Sequence, residues 1–417
     1  MKVVVLGCGI VGVTTAYYAA RDGHEVIVID RQSGAAMETS FSNAGMIAPG
    51  HAYTWASPRA PKILWQSLFR DDTSLRLKLV PDPYMWLWCW KFLQECTAER
   101  AAINTAHKLR LCRYSQSSLQ ALVAELGVDY HRMTGGAIYM YRDPALFEAG
   151  VRNTKVLTDN GLTLKPIDPD KVVELEPALA NTKGQMAGAI YCPTDESGDC
   201  HVFAQKLAQH CAEKLGVRFH WNTSIRRIHA AGDRIEKVET DRGDFTGDAY
   251  VMALGSYAPK VARGIGLSLP IYPVKGYAVT IPIGGKNGAP RLPGVDEQNL
   301  VAWSRMGDRL RLTATAEFAG YDTSHKPADF AHMLKVAQAL FPDGAEYDKP
   351  FMWAGLRPMT PKGTPILGAS KHRNLWLNAG QGHMGWTMSF GSSRVVCDLL
   401  AGRKPAIDTT GLTLAAA

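Results

Sequence analysis

Apolar residues in the first thirty positions occur in two short runs with a helical segment between them. Val3 to Leu6 is a continuous, mostly β-branched run, which is typical of a strand that is buried on both faces. A second run extends from Glu25 to Ile29, and the residues between the runs, from Val13 to Ala20, predict a helix. The pattern therefore predicts a strand–helix–strand unit at the start of an α/β fold.

Three glycines join the first strand to the helix at G-x-G-x-x-G spacing. Gly7 permits a tight turn, Gly9 leaves room for a pyrophosphate, and Gly12 lets the helix pack closely on the strand. The N-terminus of the helix then faces phosphate. Asp30 follows Gly12 by eighteen residues, where a carboxylate could accept hydrogen bonds from ribose hydroxyls and disfavours a 2′-phosphate. Together these features predict dinucleotide binding, and they leave open which dinucleotide is bound.

The segment from Arg31 to His51 is rich in Ser, Gly, Ala and Asn, where an α/β protein would ordinarily begin another helix. Ser40, Ser42 and Asn43 offer hydrogen-bond donors to phosphate, and residues 43–46 could bring backbone amides near a cofactor ring. The alternative is a solvent-exposed turn. The dinucleotide motif before it favours a loop that lines the ligand.

Beyond residue 100, the pattern predicts helices that alternate with short strands. The predicted helices are Ala101 to Leu126, Phe147 to Asn160, a helix capped by Asp199 that ends at Leu215, Asp329 to Phe341, and Trp386 to Leu400. The predicted strands are Gly136 to Tyr141, Gly188 to Cys192, Val217 to Thr223, Ile225 to Ala230, Arg234 to Thr240, Asp248 to Gly255 and Asn374 to Gly380, and Glu174 to Leu179 is predicted as a turn.

Two features of this pattern concern the site. Alternation in residues 270–283 and 308–320 predicts antiparallel strands that could form the floor of a substrate site. The strand that ends at Gly255, and a second glycine-rich turn around Gly382, return the chain to the first sheet. The nucleotide-binding part is therefore predicted to be discontinuous.

Composition narrows the class of protein. The chain has 417 residues, of which 46% are hydrophobic, enough for two domains with substantial cores. A net charge of +7 could suit anionic substrates or an anionic membrane surface, whereas the absence of a Lys/Arg run or RNA-binding motif argues against nucleic acid. The eight cysteines form no C-x-x-C pair, which argues against zinc or a redox disulfide. No secretion signal or apolar run of about eighteen residues occurs, so we expect a cytoplasmic protein.

Residues 53–98 contain five tryptophans and the stretch YMWLWCWKFL. Two interpretations compete: a core helix of the second domain, which is the commoner case, and an amphipathic surface that docks in the headgroup region of a bilayer. Because basic residues lie nearby, peripheral contact with the inner face of the cytoplasmic membrane is retained as a hypothesis. These residues are Arg59, Lys62, Arg70, Arg76 and Lys78.

Motifs from several separated regions together resemble one family. They are GCGIVG with Asp30, SNAGMIAPGH, DESGDCHVFAQKLA, MALGSYAP, PVKGYAVTIPI, GLRPMTPKGTPILG and LNAGQGHMGWTMSFG. In this order they resemble the FAD-dependent D-amino acid dehydrogenases of the wider D-amino acid oxidase group. The resemblance implies an α/β fold with a Rossmann-type FAD-binding domain, formed by residues 1–60, 196–262 and 352–417. A substrate domain built on an antiparallel sheet, residues 61–195 and 263–351, is interleaved with it.

The resemblance also implies roles for individual residues. Arg357 would grip the substrate carboxylate, a task that suits a planar guanidinium. Weaker candidates for the substrate pocket are Tyr277, Tyr53, His51, Met46 and Met384. The residues expected to bind FAD are Gly7, Gly9, Ile10, Val11, Gly12, Asp30, Arg31, Ser40, Ser42, Asn43, Ala44, Gly45, Met46, Ile225, Gly255, Gly382, His383, Met384, Gly385, Trp386 and Thr387. Because the TPKGTP region has no Cys, FAD is expected to be non-covalent.

The implied reaction removes the Cα hydrogen of a D-amino acid as a hydride to the flavin, and the imino acid is then hydrolysed to a keto acid. Electrons would pass to a quinone or another respiratory acceptor. The chain departs from the family pattern at Met46, Lys362, Gln381, His383 and Met384, which puts the preferred side chain in question and leaves a cyclic, D-proline-like substrate as a candidate. Alternatives are a secondary-amine or glycine oxidase that uses oxygen, a NAD-dependent dehydrogenase, and a non-catalytic protein that retains FAD.

Overall fold

The computed structural model describes residues 1–67, 75–78 and 81–416, so Arg70 lies outside the described residues. The strands are β1 (Lys2–Leu6), β2 (Glu25–Ile29), β3 (Met46–Ile47), β4 (Leu75–Leu77), β5 (Ala137–Tyr141), β6 (Lys165–Ile167), β7 (Gly188–Cys192), β8 (Glu196–Ser197), β9 (Arg218–His220), β10 (Ile225–Ala231), β11 (Arg234–Thr240), β12 (Gly243–Phe245), β13 (Ala249–Met252), β14 (Tyr272–Pro282), β15 (Gly294–Asp296), β16 (Val301–Met306), β17 (Arg309–Phe318), β18 (Phe351–Met359), β19 (Ile366–Ala369) and β20 (Leu375–Ala379).

The α-helices are α1 (Ile10–Arg21), α2 (Ala60–Ser67), α3 (Pro83–Gln94), α4 (Ala98–Leu126), α5 (Pro144–Asn153), α6 (Lys155–Thr158), α7 (Pro169–Leu175), α8 (Cys200–Leu215), α9 (Ala258–Arg263), α10 (Ala331–Leu340) and α11 (Gly385–Leu400). Short 3-10 helices occupy Pro49–His51, Pro177–Gln185, Gly255–Tyr257, Pro327–Phe330, Gly382–Met384 and Leu414–Ala416.

The first sheet has the order β19-β20-β13-β1-β2-β9, and its pairings are parallel except for β19 with β20. The apolar run in β1 is buried on both faces, as the sequence predicts. Val3 and Val5 pack toward α1, α8 and α11, whereas Val4 and Leu6 pack toward α9 and the small sheet β10-β11-β12. Burying both faces of a strand requires this unbroken apolar pattern.

The second sheet has the order β18-β14-β17-β16-β15-β5-β7-β6, and β4 pairs with β17. Its run from β18 to β15 is antiparallel, which agrees with the expected substrate-domain sheet. The pairings of β15 with β5 and of β17 with β4 are parallel, a feature that alternation within single strands does not predict. Helix α10 buries Met333, Ala337 and Leu340 in the core of this sheet.

Most predicted elements occur, and two differ. Asp199 caps α8 as predicted, because its carboxylate accepts hydrogen bonds from the amides of His201 (3.0 Å) and Val202 (3.1 Å). The predicted helix from Phe147 to Asn160 is divided at Thr154 into α5 and α6. The predicted turn at residues 174–179 is wrong, since α7 continues to Leu175 and a 3-10 helix follows at Pro177.

The tryptophan-rich stretch forms α3, and its two sides have different surroundings. Met85, Trp88 and Phe92 are buried, so core packing is confirmed for this side. The opposite side exposes Tyr84, Trp86, Leu87, Trp90 and Leu93, each with an exposed fraction between 45% and 62%. We call these five residues the α3 apolar face. In the part of the chain that the structure describes, no helix has both the length and the apolar character that a membrane crossing requires.

Candidate active site

A single large cavity of ≈ 1080 Å³ lies where the carboxyl ends of β1 and β13 approach the second sheet. It exceeds the usual range of small-molecule pockets, about 300–1,000 Å³. Every residue that the sequence analysis assigns to the cofactor or substrate lines this cavity, except Gly12. The structure thus brings together residues from both ends of the chain.

The three glycines of the first turn have different structural roles. Gly7 has φ +97°, and a Cβ there would lie 2.6 Å from the Ala253 carbonyl oxygen. A Cβ on Gly12 would lie 1.9 Å from the carbonyl oxygen of Gly7, so Gly12 serves close packing within the turn. A Cβ on Gly9 would approach only the Ser40 Oγ, at 3.4 Å, and would otherwise project into the cavity.

The start of α1 provides unpaired donors of the kind that phosphate requires. Among the described residues, the amides of Val11 and Gly12 have no hydrogen-bond acceptor, and the N-cap residue, Gly9, has no side chain that could supply one. The Ser40 hydroxyl accepts a hydrogen bond from the Ile10 amide at 3.1 Å, which orients it at the same turn. Ser42 is buried, and its Oγ has no partner in the described part of the chain. These groups fit the pyrophosphate of a dinucleotide.

Asp30 lies at the end of β2 on the same wall. Its two oxygens accept hydrogen bonds from the amides of Cys8 (2.5 Å) and Gln32 (2.8 Å), and burial raises the pKa of this carboxyl. Each oxygen retains a lone pair for a ribose hydroxyl. Arg31 stacks over the Tyr257 ring at 4.0 Å, and Ile225 borders the cavity at the start of β10. This end of the cavity fits the nucleoside portion.

The loop from Asn43 to Met46 is held by hydrogen bonds to its own carbonyl oxygens. Arg311 donates to the Asn43 oxygen at 2.8 Å, and the Ser304 hydroxyl donates to the Ala44 oxygen at 2.6 Å. The Gly198 amide donates to the Gly45 oxygen at 2.8 Å, and Thr387 donates to the Met46 oxygen at 3.3 Å. Three distant segments, the β16–β17 hairpin, Gly198 and α11, therefore fix the loop, which excludes the solvent-exposed turn considered above.

Arg357 is a cavity-lining cation in β18. Its NH1 donates a hydrogen bond to the Thr315 carbonyl oxygen at 2.9 Å, and no carboxylate among the described residues forms an ion pair with it. Burial lowers its pKa to about 10, so the guanidinium remains charged at neutral pH. A Cβ on Gly276 would lie 2.4 Å from the Arg357 Cζ, so this glycine leaves the space that the guanidinium occupies. The guanidinium therefore retains donors of the kind that bind a carboxylate.

Thr315 is a bulge that aims its carbonyl oxygen at Arg357. The register between β14 and β17 shifts at Gly276/Tyr277, which leaves Thr315 without a partner residue. Its φ is +57°, a left-handed conformation that is strained for a β-branched residue. In this strained conformation the Thr315 carbonyl oxygen accepts the hydrogen bond from the Arg357 guanidinium.

We expect Thr315→Gly to raise the free energy of unfolding by about 1 kcal/mol, because glycine removes the strain at positive φ but adds freedom to the unfolded chain. The bond to Arg357 uses the backbone and is retained. Thr313→Gly, in the regular part of the same strand, is the matched control and should lower the free energy of unfolding by a similar amount. Urea unfolding of both variants makes the comparison, and equal destabilisation by both substitutions would show that Thr315 is not strained.

The weaker substrate candidates have structural partners as well. The Tyr277 hydroxyl donates to the Glu317 carboxylate and is not free for a ligand. His51 Nε2 lies 2.9 Å from Glu297 Oε1, and its ring stacks on Tyr139. Burial lowers the pKa of His51, but the Glu297 carboxylate raises it more, and the net pKa is above its ordinary value.

Two residues near the site lack an assigned role in the sequence analysis. Trp55 lines the cavity, stacks on His383 with ring centroids 5.0 Å apart, and lies 6.0 Å from the Arg357 Cζ. Lys108 is buried in α4 behind this wall and contacts His383. A tryptophan in a tryptophan-rich segment and a lysine in a long helix carry no local signal of their location, so only the tertiary structure identifies them.

The chain matches the family model for FAD-dependent oxidoreductases over residues 2–399. It is 44% identical over 412 residues to D-amino acid dehydrogenase 2 of Mesorhizobium japonicum, with 99% of each chain covered. It is 46% identical over 415 residues to D-amino acid dehydrogenase of Paramagnetospirillum magneticum, covering 99% of this chain and 98% of the relative. Similar solved structures include glycine oxidase from Geobacillus kaustophilus, with TM-score 0.75, 22% identity, and coverage of 99% and 98%. L-proline dehydrogenase from P. horikoshii has TM-score 0.73, 19% identity, and coverage of 97% and 94%.

Proposed function

The chain belongs to the family of FAD-dependent oxidoreductases, and on this premise we propose that it oxidises the Cα–N bond of free D-amino acids. The observation that carries the proposal is Arg357, a charged guanidinium without a carboxylate partner among the described residues, in the cavity that both glycine turns line. When bound, FAD supplies the two-electron acceptor for the Cα hydride. The family assignment favours FAD over the NAD alternative.

The chain's own residues bind and orient the substrate in this proposal. Arg357 binds the carboxylate with two parallel hydrogen bonds, and Gly276 and the Thr315 carbonyl oxygen keep the guanidinium in position. Aromatic side chains of Tyr53 and Trp55 exclude water from this part of the cavity. The same aromatic surface suits a flat or cyclic side chain, which supports a D-proline-like substrate within the class.

The proposed domain division is that of the sequence analysis. Residues 1–60, 196–262 and 352–417 would hold FAD, whereas 61–195 and 263–351 would hold the substrate. FAD would be bound without a covalent link, and the electrons would leave to a quinone of the membrane. Ile63 on α2 lines the cavity and is 47% exposed, so the cavity opens to the surface beside α2. This opening supports access of an external electron acceptor to the site.

The test of the proposed activity is an anaerobic titration of the purified flavoprotein. We expect D-amino acids, including D-proline analogues, to bleach the absorbance near 450 nm, and L-amino acids to leave it unchanged. Admission of a quinone should restore the absorbance quickly and air slowly, and acid denaturation should release the flavin. Bleaching by glycine, sarcosine or L-amino acids only, or rapid recovery in air, would contradict the D-amino acid dehydrogenase and favour an oxidase.

Peripheral contact with an anionic bilayer is the second part of the proposal. The α3 apolar face offers aromatic rings of the kind that occupy the headgroup region. Exposed Arg59 and Lys62 lie near it in the chain, and Arg263 stacks over Tyr84 at 4.0 Å. Arg76 and Lys78 are instead paired with Asp329 (3.3 Å) and Glu317 (2.6 Å) and contribute less than the sequence suggests.

We expect the double substitution Trp86→Glu and Trp90→Glu to reduce partitioning onto vesicles of anionic and zwitterionic phospholipid at least tenfold, since each ring loses apolar burial worth about 1.5–3 kcal/mol. Co-sedimentation measures the effect. Leu146→Glu, at an exposed apolar residue on α5, is the control and should leave partitioning unchanged. Equal partitioning of the double variant and the wild type would remove the membrane-contact proposal without affecting the proposed activity.

A further inference from the structure

Lys108 is an ammonium group enclosed by protein behind the cavity wall. It is completely buried, and no carboxylate in the described part of the chain pairs with it. Its Nζ lies 3.0 Å from the Tyr53 carbonyl oxygen and 3.3 Å from His383 Nε2. A buried, unpaired cation is costly, so its retention suggests a task beyond packing.

His383 lines the cavity in the second glycine turn, at a position where the sequence departs from the family pattern. Its ring stacks on Trp55 at an interplanar angle of 23°, and Trp55 also lies beside Arg357. His383 and Arg357 therefore border the same part of the cavity. Among the described residues, His383 Nδ1 has no hydrogen-bond partner. The nitrogen is also not fully buried, so it is accessible from the cavity. This nitrogen is available to a ligand.

The contact with Lys108 determines which ring nitrogen carries the proton. An ammonium group can only donate hydrogen bonds, so His383 Nε2 must accept. In a neutral imidazole the proton is then on Nδ1. Burial, together with the charges of Lys108, His51 and Arg357, holds the pKa of His383 well below its ordinary value, which keeps the ring neutral.

We propose that Lys108 is a positioning residue that fixes His383 in the Nδ1–H tautomer, so that His383 donates a hydrogen bond to the substrate carboxylate held by Arg357. This inference rests on the proposed function, because it takes the carboxylate of an amino acid as the acceptor. Arg357 would then bind both carboxylate oxygens, and His383 would donate to a remaining lone pair of one of them. A neutral second donor avoids adding another cation beside Arg357.

The titration of Lys108 gives the arrangement a pH dependence. Burial lowers the pKa of Lys108 to about 8, so the ammonium is present below this pH and absent above it. The groups that face it are Cys112 on its own helix and His383 on the glycine turn, with His51 and Arg357 beyond His383. Glu297 and Asp195 affect His51. A neutral amine accepts as well as donates and no longer enforces the tautomer.

Binding of pyrrole-2-carboxylate, a planar carboxylate without a hydrogen on an sp³ Cα, tests the proposal on the FAD-loaded enzyme. Perturbation of the flavin spectrum reports the Kd without turnover. For the wild type, we expect the Kd to rise as pH increases through about 8. Lys108→Met should raise the Kd about tenfold at pH 7 and remove this pH dependence. With a D-amino acid, it should raise KM more than it lowers kcat.

Two further variants separate positioning from a structural defect. Lys206→Met removes an exposed lysine that also donates to a carbonyl oxygen, that of Asp129, and should leave the Kd unchanged. His383→Asn places an amide donor near the position of Nδ1 and needs no ammonium to orient it. Adding His383→Asn to Lys108→Met should therefore restore most of the lost affinity. A structural defect at Lys108 would not be rescued.

The tautomer itself is measurable without substrate. ¹⁵N NMR of histidine-labelled protein distinguishes the Nδ1–H and Nε2–H forms, and His383→Asn assigns the signal. We expect Nδ1–H at pH 7 in the wild type, so the proposal remains testable if Lys108→Met does not fold. An Nε2–H tautomer, or a Kd that is independent of pH near 8, would overturn it. A flavin that no D-amino acid reduces would instead contradict the proposed function and leave the tautomer unaffected.

Discussion

Substitution of Arg357 by methionine is expected to lower kcat/KM for D-amino acids roughly 10³-fold, while the bound FAD content stays unchanged. The substrate carboxylate would lose a bidentate, charge-assisted partner in a desolvated site, where such losses cost about 2–5 kcal/mol. Arg357→Lys keeps the charge but not the planar geometry, so an intermediate loss is expected. Steady-state kinetics with a D-amino acid and the flavin absorbance of each variant measure these two effects.

Arg113→Met provides the matched control for this prediction. Arg113 also donates a hydrogen bond from NH1 to a carbonyl oxygen, that of Asn160 at 2.8 Å, but it is exposed on α4. Its substitution should leave kcat/KM unchanged. Arg357→Met should also leave thermal stability unchanged or slightly raised, since it removes a desolvated cation without a carboxylate partner in the described part of the chain. A variant that retains full activity would eliminate Arg357 as the carboxylate ligand.

Gly9→Val should produce a folded protein whose affinity for FAD is at least about 100-fold weaker. The backbone of Gly9 has φ −66°, which valine can adopt, and the new side chain would extend from the turn into the cavity. It would separate a pyrophosphate from the amides of Val11 and Gly12, and two charge-assisted hydrogen bonds account for a loss of this size. Fluorescence titration of the apoprotein with FAD gives the Kd, and circular dichroism reports the fold.

Gly12→Ala is the companion variant, and we expect a different defect. Its Cβ would collide with the Gly7 carbonyl oxygen, so the turn itself must move. The variant should lose stability as well as FAD, measured by thermal unfolding of the apoprotein. Equal instability of the two variants would contradict these assignments, in which Gly9 leaves space for the cofactor and Gly12 allows the turn to pack.

Local sequence patterns are sufficient to predict much of this protein. The both-faces burial of β1 follows from an unbroken apolar run, and the cap of α8 follows from Asp199 before a helical pattern. The loop from Asn43 to Met46 borders the site because it follows the dinucleotide unit directly. In these cases the residues that determine the structure are close together in the chain.

Features that depend on distant contacts could not be predicted in this way. Lys108 lies in a correctly predicted helix, but lysine is ordinarily exposed, so its burial could not be predicted. Its buried position is understood only from the contact with His383, which is distant in the chain. The alternation of residues 308–320 predicts a strand without the bulge at Thr315.

The parallel pairing of β1 has a consequence for biosynthesis. On one side β1 pairs with β2, which is close in the chain, but on the other side it pairs with β13, and β13 pairs in turn with β20. A ribosome that adds about 5–20 residues per second needs on the order of 20–80 s to reach the end of β20. Until then the nascent chain presents an open, apolar strand edge, which is prone to aggregation. We therefore expect the newly made protein to depend on chaperones until its last strand has been translated.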